Sequence, residues 1–299
     1  MKTYLECIPC FFKQAVAAAR LANLSEDIQE KIVIELAQNV EASFVSSHSP
    51  PEIVRMVYNI VNKHAKTEDV YNQIKKQNNE LALSLYPKLK QRIKESENKL
   101  LLATELAIAG NIIDYGTKNS LDIDNEINKI LSETSSLFQT SNKAIFDFPL
   151  FQNQIQNSRC ILYLADNAGE VVFDRLLIET IKQLNPTVKI YYAIKEKPII
   201  NDALMQDAIQ CSIDKIATVI SSGSTLSGTV LSYCAKNFLQ LFDKADLVIS
   251  KGQGNFEGLH QTKRDLYFLF IAKCSVVARI INGNIGNMVL FYKKSGEFS

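Results

Sequence analysis

The chain has 299 residues, of which 46% are hydrophobic and 22% are charged, and its formal net charge is +1. This composition is ordinary for a globular protein and leaves room for one large or two smaller domains. The near-neutral charge argues against nucleic acid or an acidic membrane surface as a partner. No apolar run approaches the roughly 20 residues that span a bilayer, and the first residues lack the apolar core of a signal peptide, so a cytoplasmic protein is expected.

About the first 115 residues are predicted to be all helical, because apolar residues recur there at helical spacing. Ser25, followed by Glu26 and Asp27, has the composition of a helix start. The predicted helices are 10–21, 25–44, 52–63, 69–84, 87–95 and 100–113. Residues 117–158 are polar and predict connecting helices and loops.

The pattern changes at Arg159, after which β-rich runs alternate with helices. The predicted strands are 160–165, 188–194, 216–220, 247–250, 275–280 and 288–292, and the predicted helices are 170–184, 202–209 and 229–241. Strands that alternate with helices indicate βαβ units and a mainly parallel sheet. The expected architecture is a helical domain, residues 1–155, packed on a three-layer α/β domain, residues 156–299, whose sheet is mainly parallel or mixed.

Polar groups follow four of the predicted strands and form one candidate site. The four loops contain Asp166-Asn167, Asp202, Ser222-Gly223-Ser224 and Lys251. Because parallel strands present their carboxyl ends at the same edge of a sheet, the loops are expected to meet there. Taken singly, each feature is more often a turn or a helix cap. Their joint placement is what indicates a site.

The side-chain chemistry of these loops suits phosphoryl transfer to water. Asp166, Asn167 and Asp202 supply hard oxygen donors of the kind that Mg²⁺ and Mn²⁺ prefer. The serine loop would expose backbone N–H groups at a predicted helix start, which is an anion site. Lys251 would neutralise a phosphate oxygen. A metal, an anion cradle and a lysine together are the equipment for hydrolysis of a phosphate ester.

An ordered set of motifs also covers nearly the whole chain. Its members are Cys7-Ile-Pro-Cys10 with Gln14, Ala109-Gly-Asn111-Ile-Ile-Asp114-Tyr-Gly116, Asp166-Asn-Ala-Gly-Glu170 with Asp174, Lys197-Pro-Ile-Ile-Asn201-Asp202, Ser250-Lys-Gly-Gln-Gly-Asn255-Phe-Glu257, and Lys273-Cys274. As a set it resembles the damage-control phosphatase family, the former domain-of-unknown-function 89 group. The cysteine pair resembles the stand-alone branch of that family.

The resemblance implies a metal-dependent phosphatase that acts on small phosphorylated metabolites, including damaged or excess ones, with Mg²⁺, Mn²⁺, Co²⁺ or Ni²⁺ as cofactor. It implies metal binding by Asp166, Asn167 and Asp202, and a phosphate contact by Lys251. It further implies that Asn111 and Asp114 line the cleft from the helical side. The catalytic set is expected to be Asp166, Asp202 and Lys251. The substrate-binding set is expected to be Asn111, Asp114, Ser222, Gly223, Ser224, Lys251, Asn255 and Glu257.

Two positions depart from the family pattern. The loop before Gly228 lacks the expected proline, and Leu204 stands where a small hydroxyl residue is common. These departures concern substrate detail more than the predicted metal site.

The role of Cys7 and Cys10 is left open by their spacing. Four donors would be needed for zinc, but the chain has no second such pair and its three histidines are scattered. Structural burial and a metal or redox role are both compatible with the sequence.

Two other functions and one mechanistic choice also stay open. The α/β region could bind a nucleotide or S-adenosylmethionine as a transferase or sensor, although its first βα turn lacks the G-x-G-x-x-G pattern. The chain could also be a non-catalytic metal-binding protein. Water is the expected nucleophile because no serine or cysteine has a histidine nearby in sequence, with an aspartyl route through Asp166 or Asp202 as the alternative. The sequence specifies neither the substrate nor the oligomeric state.

Overall fold

The structure is a computed structural model that describes residues 1–45, 48–110 and 143–297. Its first helices are α1 (Ile8–Leu21), α2 (Glu26–Val45), α3 (Pro50–Ala65), α4 (Asn72–Glu95) and α5 (Lys99–Ala109). The strands are β1 (Lys143–Phe146), β2 (Cys160–Leu164), β3 (Lys189–Ile194), β4 (Thr218–Ser221), β5 (Leu247–Lys251), β6 (Leu266–Ile271) and β7 (Met288–Lys293). The later helices are α6 (Phe148–Asn157), α7 (Glu170–Leu184), α8 (Met205–Gln210), α9 (Lys236–Lys244), α10 (Gln253–Leu259) and α11 (Ser275–Ile280).

The predicted helices are confirmed as far as residue 110, with one change, and the predicted end of the last helix at 111–113 lies outside the described residues. Helix α3 begins at a reciprocal capping box between Ser49 and Glu52, with proline in its first turn. Helix α4 is continuous where the sequence predicted two helices separated by Pro87. A proline in a helix interior removes a backbone hydrogen bond. Here Leu85 and Leu89 on either side of Pro87 are completely buried, so packing of this face keeps the helix intact.

The sheet has seven strands in the order β1-β7-β6-β5-β2-β3-β4. Strands β2 to β6 pair only in parallel with one another, whereas β7 runs antiparallel to β6 and parallel to β1. The predicted class, helices combined with a mainly parallel α/β sheet, is therefore confirmed.

In the second half, one predicted element has the wrong type, one strand was missed, and one helix begins later than predicted. Residues 275–280, predicted as a strand, form α11, because the Cys274 Sγ accepts a hydrogen bond from the Val277 N–H at 3.5 Å and caps the helix. Strand β6 was missed, since a continuous apolar run has no alternation to distinguish it from a buried helix. The helix predicted over 229–241 begins only at Lys236.

The two faces of the sheet carry separate apolar cores. Helices α4, α5, α6 and α7 share one core with the sheet, and α9, α10 and α11 share the other. Strand β1 and helix α6 precede residue 156, yet β1 pairs with β7, and Phe151 of α6 contacts Tyr267 of β6 with ring centroids 4.9 Å apart. The packing therefore does not divide at residue 155, although α1, α2 and α3 keep a core of their own.

In the part of the chain that the structure describes, no helix is both long enough and apolar enough to cross a membrane.

A buried ionic network joins the central strands to α7. The Asp174 carboxylate of α7 accepts hydrogen bonds from the hydroxyls of Tyr163 in β2 at 2.6 Å and Tyr192 in β3 at 2.7 Å. The Lys251 Nζ at the end of β5 donates to Asp174 at 2.9 Å and to Glu170 at 3.2 Å. Burial lowers the pKa of Lys251, but Asp174 and Glu170 outweigh that effect and hold it above its usual value. Strands β2, β3 and β5 and helix α7 are thus joined by one buried cluster of charged side chains.

We expect Lys251→Met to lower the free energy of unfolding by about 3–5 kcal/mol, because it leaves Asp174 and Glu170 as buried carboxylates without their cation. Adding Asp174→Asn should recover part of that loss. Urea unfolding followed by circular dichroism measures both, with the exposed Lys236→Met as a control expected within about 0.5 kcal/mol of wild type. A Lys251→Met protein as stable as the control would contradict this account.

Candidate active site

Four loops meet at the carboxyl edge of the sheet, as predicted. Strands β5, β2, β3 and β4 are successive parallel neighbours, so the segments that follow them leave at the same edge. The chain runs from β2 outward to β3 and β4 on one side and returns to β5 on the other. A crevice at such a topological switch point is where open α/β sheets bind ligands.

Backbone pairing places the loops of Asp166 and Asp202 against each other. The Asp166 carbonyl accepts from the Ala203 N–H at 2.8 Å, and the Ala168 N–H donates to the Asn201 carbonyl at 2.9 Å. Between these bonds, residues 167 and 202 form an isolated antiparallel bridge. The two predicted metal-binding segments are therefore brought together by main-chain contacts.

The Asn167 amide lies between two carboxylates. Its Nδ2 donates to Asp166 Oδ2 at 3.0 Å and to Glu170 Oε1 at 2.8 Å. Glu170 also accepts from Lys251, so Asn167 links the predicted metal site to the buried network beneath it.

Burial makes this cluster difficult to ionise in the absence of a cation. Burial and, after it, the neighbouring Asp202 raise the pKa of Asp166 to about 7. Burial likewise raises the pKa of Glu170 to about 7 and that of Asp202 to about 6, although Lys251 and Lys195 oppose these shifts. The ionised carboxylates are therefore poorly solvated, and a bound cation would stabilise them.

Two glycines allow backbone to approach the carboxylates closely. Gly252 has a φ of +83°, and a methyl group there would lie 1.9 Å from Asp166 Oδ2. Gly228 has a φ of +73°, and a methyl group there would lie 2.2 Å from the Gly254 carbonyl oxygen. The Gly228 N–H hydrogen bonds to the Asp202 carboxylate and acts to lower its pKa. No larger side chain fits at either position.

The donor set fits a hard divalent ion. Asp202 Oδ2 is buried without a hydrogen-bond partner among the described residues, and the Lys195 Nζ is 3.6 Å away. The described ranges contain no group of three or more His, Cys, Asp or Glu side chains arranged to hold an ion. Two carboxylates and one amide are a smaller set, of the kind that serves Mg²⁺ when waters and substrate phosphate complete its coordination.

Lys251 is placed differently from what its predicted role suggested. The sequence predicted a phosphate contact, but the ammonium is 1% exposed and is paired with Asp174 and Glu170. Its direct contact with phosphate stays a prediction. Its observed bonds stabilise the network below the site.

The serine loop is not a helix N-terminus. The Ser222 N–H donates to the Ile194 carbonyl at 2.8 Å, and the N–H groups of Gly223 and Ser224 donate to the hydroxyls of Ser221 and Ser222. No helix starts at Thr229, so the basis on which an anion cradle was predicted is wrong. A substrate-binding role for these residues remains a prediction without that support.

Asn255 connects three of the loops. Its Nδ2 donates to the carbonyls of Ala165 at 3.0 Å and Lys251 at 2.7 Å, and its Oδ1 accepts from the Thr229 hydroxyl at 2.7 Å. These bonds hold the loops after β2, β4 and β5 in position. The substrate role expected for Asn255 therefore stays a prediction beside an evident positioning role.

The other predicted substrate-binding residues are less well placed by the structure. Glu257 accepts from the Gln253 amide at 2.9 Å within α10, and its role with substrate stays a prediction. Asn111 and Asp114 lie outside the described residues.

Two buried residues at the site had no role assigned from sequence. Lys195, directly after β3, donates to the Gly228 carbonyl at 2.5 Å and pairs with Asp202. Its position beside a strand end was a usable signal. Asn79 of α4 accepts from the Gly169 N–H at 2.7 Å and donates to Asp207 at 2.7 Å. Only the tertiary packing of α4 over these loops reveals it.

Cys7 and Cys10 lie at the start of α1, more than 150 residues before Asp166 in the chain. Cys7 is partly buried, Cys10 is exposed, and both are free thiols. Burial raises the pKa of the Cys7 thiol, which disfavours a reactive thiolate. The role of the pair stays open.

A cleft of about 770 Å³ opens beside the loop that leads to Asp202. It lies between α3 with the turn after it and the segment Lys197–Pro198, and its three lysines give it a basic lining. The lining residues are Tyr58, Asn59, Asn62, Lys63, Lys66, Thr67, Glu68, Lys197 and Pro198.

Known proteins match the chain along its whole length. The model of the damage-control phosphatase ARMT1-like domain matches residues 3–289. A damage-control phosphatase of Pyrococcus horikoshii is 31% identical over 296 residues, which cover 98% of this chain and 99% of the relative. A damage-control phosphatase of Archaeoglobus fulgidus is 30% identical over 297 residues, which cover 97% and 98%. An uncharacterized protein of Methanocaldococcus jannaschii is 34% identical over 295 residues, which cover 95% and 93%.

A solved structure also matches. The crystal structure of a DUF89 family protein from Pyrococcus horikoshii has a TM-score of 0.88 and 30% sequence identity, and the match covers 98% of this chain and 100% of that chain. The similarity thus includes both the helical region and the sheet.

We expect Gly252→Ala and Gly286→Ala to separate backbone strain from displacement of Asp166. Both glycines have positive φ, but a methyl group at Gly286 meets nothing within 4 Å. Each substitution should cost about 1–3 kcal/mol of stability through strain. Only Gly252→Ala should also abolish the rise in melting temperature on adding Mn²⁺, measured by differential scanning fluorimetry. Equal Mn²⁺ responses in the two variants would contradict the role given to the close approach.

Without metal, the stability of the protein should fall as pH rises from about 4 to about 7. In this window the folded state holds a proton on Asp166 that the unfolded state has released, because the folded pKa is about 7 against about 4 for a free aspartate. The stability gain from Asp166→Asn, measured by urea unfolding in chelator, should therefore grow by on the order of 1–3 kcal/mol between pH 5 and pH 8. A gain independent of pH would refute the raised pKa.

Proposed function

The chain belongs to the damage-control phosphatase ARMT1-like family, and on that premise we propose that it is a metal-dependent phosphatase of small phosphorylated metabolites. The observation that carries the metal-dependent step is the pairing of the Asp166 and Asp202 loops, which sets two buried carboxylates and the Asn167 amide at the switch point. Two relatives are named damage-control phosphatases, which supports damaged metabolites as a substrate class.

We assign the metal to Asp166, Asn167 and Asp202, with Mg²⁺, Mn²⁺, Co²⁺ or Ni²⁺ as candidates. When bound, such an ion would offset charge on the phosphoryl group and favour ionisation of a water. Lys195 pairs with Asp202, while Glu170 accepts from the Asn167 amide and is itself paired with Lys251. Asn255 and Gly252 fix the loop that closes over Asp166.

Water is the nucleophile that we propose. Its oxygen forms the new bond to phosphorus as the bond to the ester oxygen breaks, giving inorganic phosphate and an alcohol. Attack by Asp166 or Asp202 is the alternative route, because a carboxylate that binds a metal through one oxygen can still attack phosphorus through the other. The stereochemistry at a chiral phosphoryl group separates the routes: one direct displacement by water inverts the phosphorus, and two displacements through an aspartyl-phosphate retain its configuration.

The basic cleft beside Lys197 is a suitable place for the remainder of the metabolite, beyond the phosphate that is bound at Asp166 and Asp202. Its volume is in the range of small-molecule sites, and its three lysines suit an anionic ligand. A nucleotide or S-adenosylmethionine is less well supported, because Asn79 already binds the Gly169 N–H at the first βα turn. The cytoplasmic location stays a prediction.

We expect hydrolysis of p-nitrophenyl phosphate to stop in chelator and to return with Mn²⁺, Co²⁺, Ni²⁺ or Mg²⁺. Asp166→Asn and Asp202→Asn should each reduce kcat at least ~10²-fold, since each removes a metal ligand. Asp243→Asn, an exposed aspartate in α9, is the matched control and should keep wild-type kcat.

Full activity in Asp166→Asn, or activity that a chelator leaves unchanged, would contradict the proposal. A non-catalytic metal-binding protein would instead show a metal-dependent rise in melting temperature with no turnover on a panel of phosphorylated metabolites.

A further inference from the structure

One face of α4 covers the candidate active site. Lys75, Asn78 and Asn79 are three and four residues apart, which places them on the same side of the helix. All three are buried, and Asn79 bonds directly to the loop after β2 and to Asp207 in α8. This polar face therefore packs on the same loops that carry the paired aspartates.

Lys75 has hydrogen-bonding capacity that the described residues do not use. The side chain is 1% exposed, and its Nζ lies 2.6 Å from Asp69 Oδ2 as an ion pair. The Nζ has no partner with hydrogen-bond geometry among those residues. An ammonium carries three donors, and a buried lysine is rare unless it is well paired. Such a group is suited to receive a ligand.

The two other lysines buried at this edge are already engaged. Lys195 donates to the Gly228 carbonyl and pairs with Asp202, while Lys251 donates to Glu170 and Asp174. The lysine that the sequence assigned to phosphate thus has two carboxylate partners, and Lys75 is the better donor to an incoming anion.

Buried acceptors without partners occur both on α4 and in the aspartate loops. Asp202 Oδ2 and Asn78 Oδ1 have no hydrogen-bond partner among the described residues. Asn79, the next residue after Asn78, accepts from the Gly169 N–H in the loop that contains Asp166. Buried polar groups without partners on a helix and on the loops it packs against indicate a missing polar ligand.

We propose that Lys75 is a phosphate-binding residue of this site and that its buried ammonium donates to an oxygen of the substrate phosphate. The inference rests on the proposed function and adds a residue from the helical region to the site. A phosphate beside Asp166 and Asp202 brings negative charge to a cluster already rich in carboxylates. A second cation, supplied by α4, offsets that charge.

The test compares Lys75→Met with Lys76→Met, its exposed neighbour on α4. Isothermal titration calorimetry with inorganic phosphate, on protein saturated with Mn²⁺, measures binding independently of turnover. We expect the Kd of phosphate to rise at least about tenfold in Lys75→Met, the loss expected for a charge-assisted hydrogen bond. It should be unchanged in Lys76→Met. The KM for p-nitrophenyl phosphate should rise with the Kd, and Lys75→Arg should restore part of both.

A purely structural role makes a different prediction. Lys75→Met leaves Asp69 without its ion-pair partner, so the double variant Asp69→Asn with Lys75→Met removes that imbalance. The proposal expects the double variant to fold, to keep its rise in melting temperature with Mn²⁺, and still to bind phosphate weakly. Recovery of phosphate affinity in the double variant would overturn it, as would an unchanged Kd in Lys75→Met.

The failure of this inference and the failure of the proposed function differ in outcome. If wild type hydrolyses phosphate esters but Lys75→Met keeps its phosphate affinity and KM, only the role of Lys75 is wrong. If phosphate binding depends on Lys75 but no ester is hydrolysed, the anion site stands and the phosphatase proposal fails. Wild type that binds no phosphate would overturn the role of Lys75 directly.

Discussion

The buried pairing of Asp174 with Lys251 is the interaction on which the rest of the structure depends. Two tyrosines from neighbouring strands and one lysine from a third converge on a single carboxylate of α7. Ionised groups are costly to bury unless they are paired and fully hydrogen-bonded. Here the pairing fixes the ends of β2, β3 and β5 relative to one another. The loops that leave those strands therefore start from fixed positions, which a site built from several loops requires.

Above this network two carboxylates are buried close together. Main-chain bonds bring the loops of Asp166 and Asp202 together, and burial is the main cause that raises the pKa of each. A bound cation would stabilise the ionised forms of both side chains. Metal binding and protonation are consequently linked, because each relieves the cost of burying these charges.

The helical region contributes to the site as well as to the core. Helix α4 packs on α7, anchors the loop after β2 through Asn79, and carries Lys75 one helical turn before Asn79. The basic cleft next to α3 lies beside the loop that leads to Asp202. On this arrangement the sheet supplies the metal site and the helices supply contacts to the rest of the ligand. Variation among helical regions is then a physical route to different substrates on one scaffold.

Local pattern in the sequence was enough for much of the fold and for the centre of the site. Residues close together in sequence were enough to predict the bounds of α7 at Glu170 and Leu184. They were also enough to predict the parallel strands and the oxygen donors at two strand ends. Tertiary structure alone decided the rest: that β6 is a strand, that residues 275–280 are a helix, that Lys251 pairs with Asp174, and that Asn79 reaches the loop after β2. Each of these depends on groups far apart in sequence, whose burial and pairing energies arise only when the elements pack. Local residue preferences do not identify those distant partners.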